Sequence, residues 1–176
     1  MVLADPEPNM HILVSAASKH GATAEIAAAV AETLSDRGFR VTLKNPIEVG
    51  HLGRYSAVVL GSAVYAGRWL EPARTLADRV GHELAGRSVW LFSSGPIGDP
   101  PQPGEDPVDA SAMVEATAAR GHMVFAGRLE RSRLSFGERA IVRALRAPEG
   151  DFRDWDAITA WAEEIATALQ PDTASM

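Results

Sequence analysis

The chain has 176 residues, a formal net charge of -6 and no cysteine. That length suits one well-buried domain and is too short for two large ones, and the acidic balance without a long cationic block argues against nucleic acid as the main partner. Without cysteine there are no disulfides, no thiolate metal sites and no cysteine nucleophile; no run approaches a membrane span, and residues 1–9 are unlike a signal peptide, so a soluble cytoplasmic protein is expected. Residues 1–9 and 171–176 read as disordered tails around a single domain over 10–170.

The apolar run Ile12-Leu13-Val14 predicts the first strand, and it enters the turn Ser18-Lys19-His20-Gly21-Ala22-Thr23. A helical period follows from Ala22 to Leu34, with Ile26, Val30 and Leu34 on one face. Strand, turn and helix in that order leave backbone N–H groups unpaired at a helix start, where they and the helix dipole favour an anion. Gly21 lets the backbone close around a phosphate, and the Ser18 and Thr23 hydroxyls can donate to its oxygens. The competing reading makes Ser18 and Thr23 ordinary helix caps. Neither a nucleoside-triphosphate loop nor a dinucleotide glycine fingerprint is present, so the turn suits a monophosphate ester held mainly by neutral donors.

Arg37-Gly38 ends the helix, and Phe39, Val41 and Leu43 alternate as an edge strand stopped by Pro46. Tyr55 to Leu60 reads as a strand buried on both faces and closed by Gly61, followed by a loop from Ser62 to Trp69. A helix is predicted from about Leu70, with Pro72 in its first turn and Leu76 and Val80 facing inward. Ser88 to Phe92 is the fourth strand, running into the loop Ser93-Ser94-Gly95-Pro96-Ile97-Gly98 and a proline-rich stretch to Pro107 that has the length of a functional cover or a disordered excursion. The helical period returns from Asp109 to Arg120, with Met113, Val114 and Thr117. His122 to Ala126 is the last strand. Asp154 to Leu169 is the last helix, with Trp155, Ile158, Trp161, Ile165 and Leu169 in one stripe. Trp155 and Trp161 read as core residues.

Five strands alternating with helices predict an α/β three-layer sandwich, a parallel sheet of order 2-1-3-4-5 with helices on both faces. Ligands then lie beyond the carboxyl ends of the strands, at the switch point between strands 1 and 3, where the glycine- and serine-rich loops after strands 1, 3 and 4 converge.

The turn at Ser18 to Thr23 resembles the first loop of the flavodoxin family, which has the form S/T-x-S/T-G-x-T around the phosphate of flavin mononucleotide (FMN). His20 stands where that family often has a hydroxyl, and Lys19 adds a charge. The resemblance runs from Met10 to Leu169 and implies the flavodoxin-like fold. It is nearest to the branch that contains menaquinone-dependent protoporphyrinogen dehydrogenase, whose second loop often reads G-x-S-x-x-x-G. Here that loop is Gly61-Ser62-Ala63-Val64-Tyr65-Ala66-Gly67, with Ala63 in place of the serine, and Gly150 to Trp155 also resembles the branch.

The resemblance implies an FMN-binding oxidoreductase or electron carrier, with a redox partner protein or quinone. Tyr65 or Trp69 would stack on the flavin, Gly61 and Gly67 would allow close backbone approach, and Ser93 to Gly98 would meet the ring edge. The alternatives are a helix-packing Trp69 and ordinary turn glycines. A deazaflavin, with Arg68 on its longer tail, is a second cofactor reading, and a cofactor-free interaction module a third. No catalytic residue is identified, and the five histidines show no metal-ligand spacing.

Residues 128–150 read as a basic insert. Arg128 to Arg146 holds six arginines against Glu130 and Glu138, a local charge of +4 that leaves -10 on the rest of the chain. If Leu134 to Arg146 is helical, Leu134, Ile141 and Leu145 share one face and Arg139, Arg143 and Arg146 the opposite one. Arg131 to Arg146 would then touch anionic lipid or an acidic partner, or else pack its apolar side on its own domain as a solvated helix.

Overall fold

A computed structural model of the chain describes residues 10–98, 107 and 110–170. The two expected tails, most of the proline-rich stretch and the expected helix start at Asp109 lie outside these residues.

Strand β1 (His11–Ala17) is wholly buried and leads through the turn into helix α1 (Ala22–Asp36). Strand β2 (Arg40–Lys44) follows, and Pro46 begins a short 3-10 turn over Pro46–Glu48, with Asn45 as its cap. Strand β3 (Ala57–Tyr65) continues past Gly61 and folds back through Ala66 and Gly67 into β4 (Arg68–Trp69), an antiparallel hairpin. Ala66 and Gly67 have φ of 51° and 74°, the paired positive values a tight two-residue hairpin turn requires. The expected loop from Ser62 to Trp69 is therefore strand and hairpin: Leu60 does not end the run because Ala63 and Val64 keep it apolar.

Helices α2 (Glu71–Arg79) and α3 (Gly81–Leu84) lead to β5 (Ser88–Ser94), two residues longer than expected, then α4 (Ala110–Thr117) and β6 (Gly121–Phe125). Strands β7 (Arg128–Leu129) and β8 (Gly150–Asp151) pair antiparallel and enclose a 3-10 turn at Arg131–Arg133 and helix α5 (Phe136–Ala144). Helix α6 (Trp155–Leu169) closes the described chain, capped by Asp154.

The main strands run parallel in the order β2-β1-β3-β5-β6, the predicted order once the short β4 is numbered. On one face Ile12 and Val14 of β1 pack with Ile26, Val30 and Leu34 of α1 and Ile158, Trp161 and Ile165 of α6. Leu13 of β1 and Leu60 of β3 pack on the other face with Leu76 of α2, Leu84 of α3 and Met113 of α4. The two-residue periodicity of buried strands thus feeds two separate cores. Trp155 corrects the expected stripe: it is 42% exposed at the start of α6, under the Arg153 guanidinium at 4.6 Å from its ring centroid. Helix α5 joins neither core and buries no residue.

Candidate functional site

The carboxyl ends of β1, β3 and β5 open into a cavity of about 380 Å³, closed on the remaining side by residues 127–142. At its foot is the turn before α1. Gly21 is the N-cap of α1 with φ of 89°, and no side chain caps the helix. Ser18 Oγ instead accepts the Gly21 N–H at 3.0 Å, which shapes the turn. Thr23, only 3% exposed, lines the cavity, and its hydroxyl has no hydrogen-bond partner among the described residues. Ordinary capping thus describes neither residue.

Above the turn the walls are mostly apolar. Tyr65 and Val64 come from the end of β3, Gly95 and Ile97 from the segment after β5, and Leu134, Ile141 and Val142 from the α5 region. Burial, and secondarily the Glu138 charge, pushes the Tyr65 hydroxyl up to about 12. It is therefore a neutral hydroxyl at any physiological pH. Lys19 Nζ stands 5.1 Å from the Tyr65 ring centroid, and the His20 ring packs edge-on at 6.4 Å.

The structure brings Ser18, Lys19, His20, Ala22 and Thr23 together with Ala63, Val64, Tyr65, Ser94, Gly95 and Ile97, as the convergence of loops predicted. Other expected site residues lie elsewhere. Trp69 is 2% exposed and donates from Nε1 to Ser93 Oγ at 2.8 Å, so it is locked between β4 and β5 and cannot stack on a ligand. Ser93, fully buried, also pairs with His122 at 2.7 Å. Ser62 accepts the Leu70 N–H at 2.9 Å and serves the entry to α2. Gly61 faces the core: a side-chain carbon there would lie 2.2 Å from the Phe92 ring. Ala66, Gly67 and Arg68 form the hairpin turn and its first β4 residue, and Pro96 and Gly98 are also outside the cavity wall. Without Arg68 the deazaflavin reading loses its cationic contact.

Sequence reasoning missed the other side of the cavity, residues 127–142. Gly127 packs on Gly95, its N–H donating to the Pro96 carbonyl at 2.7 Å. Helix α5 begins with a capping box, Ser135 and Glu138 exchanging hydrogen bonds with each other's backbone N–H. That box aims Glu138 at the turn, where its carboxylate meets His20 Nε2 at 2.8 Å and Lys19 Nζ at 3.4 Å. The His20 bond, helped by Ser135, holds the Glu138 carboxyl down to about 2. The signals are the S-x-x-E of Ser135 to Glu138 and the local charge of +4, which is compatible with an outward contact or with packing on the chain's own domain.

A network of arginines and carboxylates ties this segment to α1. Arg153, its side chain 4% exposed, donates to Glu25 and Asp151 at 2.7 Å each, and Arg128 also donates to Glu25, at 2.8 Å. The Arg153 hydrogen bond is the main reason that the carboxyls of Glu25 and Asp151 lie below their usual range. No cluster of three or more His, Asp or Glu among the described residues could hold a metal ion.

The sequence matches the family model described as the flavodoxin domain over residues 13–156. Among solved structures the chain is similar to oxidised flavodoxin 1 from Bacillus cereus, with a TM-score of 0.62 and 13% identity over 89% of this chain and 97% of that one. A flavodoxin from the domain Archaea is similar at a TM-score of 0.59 and 14% identity, over 91% of this chain and 99% of that one. Rubredoxin oxygen:oxidoreductase from Desulfovibrio gigas is similar at 0.61 and 15% identity; the match covers 94% of this chain and only 37% of that protein. Such identities show the fold alone. The sequence matches none of the curated proteins. With the strand order β2-β1-β3-β5-β6 and a family match that runs from β1 into α6, the chain belongs to the flavodoxin domain family.

Proposed function

We propose that the chain binds FMN in this cavity and acts in electron transfer. One observation carries the reading: the turn suited to a phosphate and an apolar slot with a neutral tyrosine belong to the same cavity. Its volume is at the lower end of the range for small-molecule sites. The Thr23 hydroxyl, without a hydrogen-bond partner among the described residues, and the start of α1, which no side chain caps, fit a phosphate ester. Val64, Tyr65, Ile97, Leu134, Ile141 and Val142 fit a flat aromatic ring. In the bound state the flavin supplies the electron-carrying chemistry, and these residues orient it and exclude water from part of it.

An oxidoreductase resembling protoporphyrinogen dehydrogenase is the finer reading, and it rests on Gly61 to Gly67 and Gly150 to Trp155 alone. The geometry adds nothing for a porphyrinogen, so we place the function at electron transfer. For the partner we favour an acidic protein over an anionic membrane. Glu138, Ile141 and Val142 of α5 line the cavity, leaving Arg139 and Arg143 on the opposite side with Phe136, which is 90% exposed.

The visible absorption spectrum of the purified protein, before and after adding FMN, tests the proposal. A bound flavin gives a shifted, structured band that bleaches on reduction and returns with an electron acceptor. If added FMN keeps its free spectrum and full fluorescence, the cofactor-free interaction module takes its place.

A further inference from the structure

Two arginines reach back from the 128–146 segment to the turn and have no part in a site built on neutral donors. Arg128 and Arg133 hold the two oxygens of Glu130 through their Nε groups, at 3.2 Å and 2.7 Å; Arg128 Nη1 goes to Glu25 at 2.8 Å, while Arg128 Nη2 and Arg133 Nη1 are directed at the turn. There Arg133 Nη1 and Arg128 Nη2 donate to the His20 carbonyl at 3.3 Å and 3.4 Å, both long for such bonds. A side-chain carbon built on Gly21 would lie 3.5 Å from Arg133 Nη1 and 3.8 Å from Arg128 Nη2. The space beside Gly21, the N-cap of α1, is therefore bordered by guanidinium groups. Both arginines line the cavity, as does Thr23, a buried residue whose hydroxyl has no hydrogen-bond partner among the described residues.

We propose that Arg133, with Arg128 behind it, binds the phosphate ester of the cavity's ligand, so that this chain recognises a phosphomonoester by guanidinium charge as well as by the turn. The proposal rests on the FMN reading for the identity of the ligand. The two arginines have different parts. Arg128 has a side chain 8% exposed and is fixed by Glu25 and Glu130. Arg133 is half exposed with Glu130 as its one ion-pair partner among the described residues, so it can exchange its long bond to His20 for a phosphate oxygen at little cost. A guanidinium offers paired N–H groups to a phosphate, which an ammonium cannot match. The ligand is then selected for a doubly charged phosphate, and binding weakens with salt, because an exposed cation is screened over about 8 Å at physiological ionic strength.

The experiment is a fluorescence titration of FMN and riboflavin into wild type, Arg133→Gln and Arg133→Lys at low and high salt, with inorganic phosphate titrated separately and read by the melting temperature. Arg133 is exposed and its loss leaves the Arg128 and Arg153 network in place, so folding is not at risk. Arg133→Gln is expected to weaken FMN roughly tenfold or more, the effect of one lost hydrogen bond to a charged group, while riboflavin is unchanged. Arg133→Lys should fall between the two, the FMN salt dependence should shrink in Arg133→Gln, and inorganic phosphate should stabilise wild type more than that variant. Equal FMN affinity in wild type and Arg133→Gln, or equal losses for FMN and riboflavin, overturns the inference and leaves the flavin reading standing. If wild type binds neither flavin, the flavin reading falls, and the phosphate arm decides the inference alone: the same stabilisation, or none, in wild type and Arg133→Gln overturns it.

Discussion

Gly61 shows how a residue can match a motif for one reason and be needed for another. It follows the apolar run Ala57 to Leu60 and looks like a place for ligand to approach the backbone, yet it lies within β3 beside Phe92 of β5, whose ring occupies the space of its missing side chain. Phe92 is held in turn by Phe125 at 6.0 Å and Trp161 at 5.8 Å, so the ring has nowhere to move. Gly61→Ala should cost about 1–3 kcal/mol or more by overpacking, seen as a lower urea midpoint in the apo-protein. Unchanged stability with weakened FMN binding would restore the ligand role. Thr23 is the opposite case. Thr23→Ala should weaken FMN roughly tenfold, through one lost hydrogen bond to a charged oxygen, while riboflavin is affected little. Parallel fluorescence titrations show it, and equal losses would remove the phosphate from this turn. The turn was legible because its glycine, hydroxyls and helix start lie within six residues. Trp69 was not, since sequence does not show that its indole meets a serine 24 positions away.

At the scale of elements, periodicity located β1, α1, β5 and α6 closely, because each has one buried face or two and strong end signals. The second loop was misread for a physical reason: Ala63 and Val64 are small or branched apolar residues that extend a strand as readily as they line a loop, and only the positive φ at Ala66 and Gly67 ends it. The α5 segment was legible as basic and helical but not as a wall of the cavity, because its attachment is polar and long-range, made by Glu138 to a histidine 118 residues earlier. That attachment depends on pH. The Glu138 carboxyl is lowered from 4.5 to about 2 in the folded chain, so its stabilising effect is complete above 4.5 and is lost as pH falls from there through 2. Carbon-13 NMR of the Glu138 carboxyl should give a midpoint near 2 in wild type, rising toward 4.5 in His20→Ala. An ordinary midpoint in wild type would mean that α5 is not latched to the turn.

Across the whole molecule, charge is divided so that one rim of the cavity is basic and the rest of the chain acidic. The outer side of α5 carries Arg139 and Arg143 beside Phe136, which is 90% exposed. Arginine and an exposed aromatic are the residue types that carry binding energy at protein interfaces, and long-range charge mainly speeds the encounter. Changing Arg139, Arg143 and Arg146 together to Gln should slow reoxidation of the reduced flavin by an acidic acceptor protein at low salt and flatten the salt dependence, with the flavin spectrum unaltered. Stopped-flow rates equal to wild type would make α5 a wall of the cavity and nothing more.

The FMN proposed for this chain lies between the turn before α1 and the α5 segment. Backbone hydrogen exchange with and without saturating FMN tests it most directly, since it reports where the ligand orders the chain rather than whether it binds. The expected result is slowed exchange in residues 18–24, 63–66, 94–97 and 128–142 together, and little change in α2 and the 3-10 turn at Pro46–Glu48. Unchanged exchange throughout, or protection that leaves out either the turn or the α5 segment, would contradict the account.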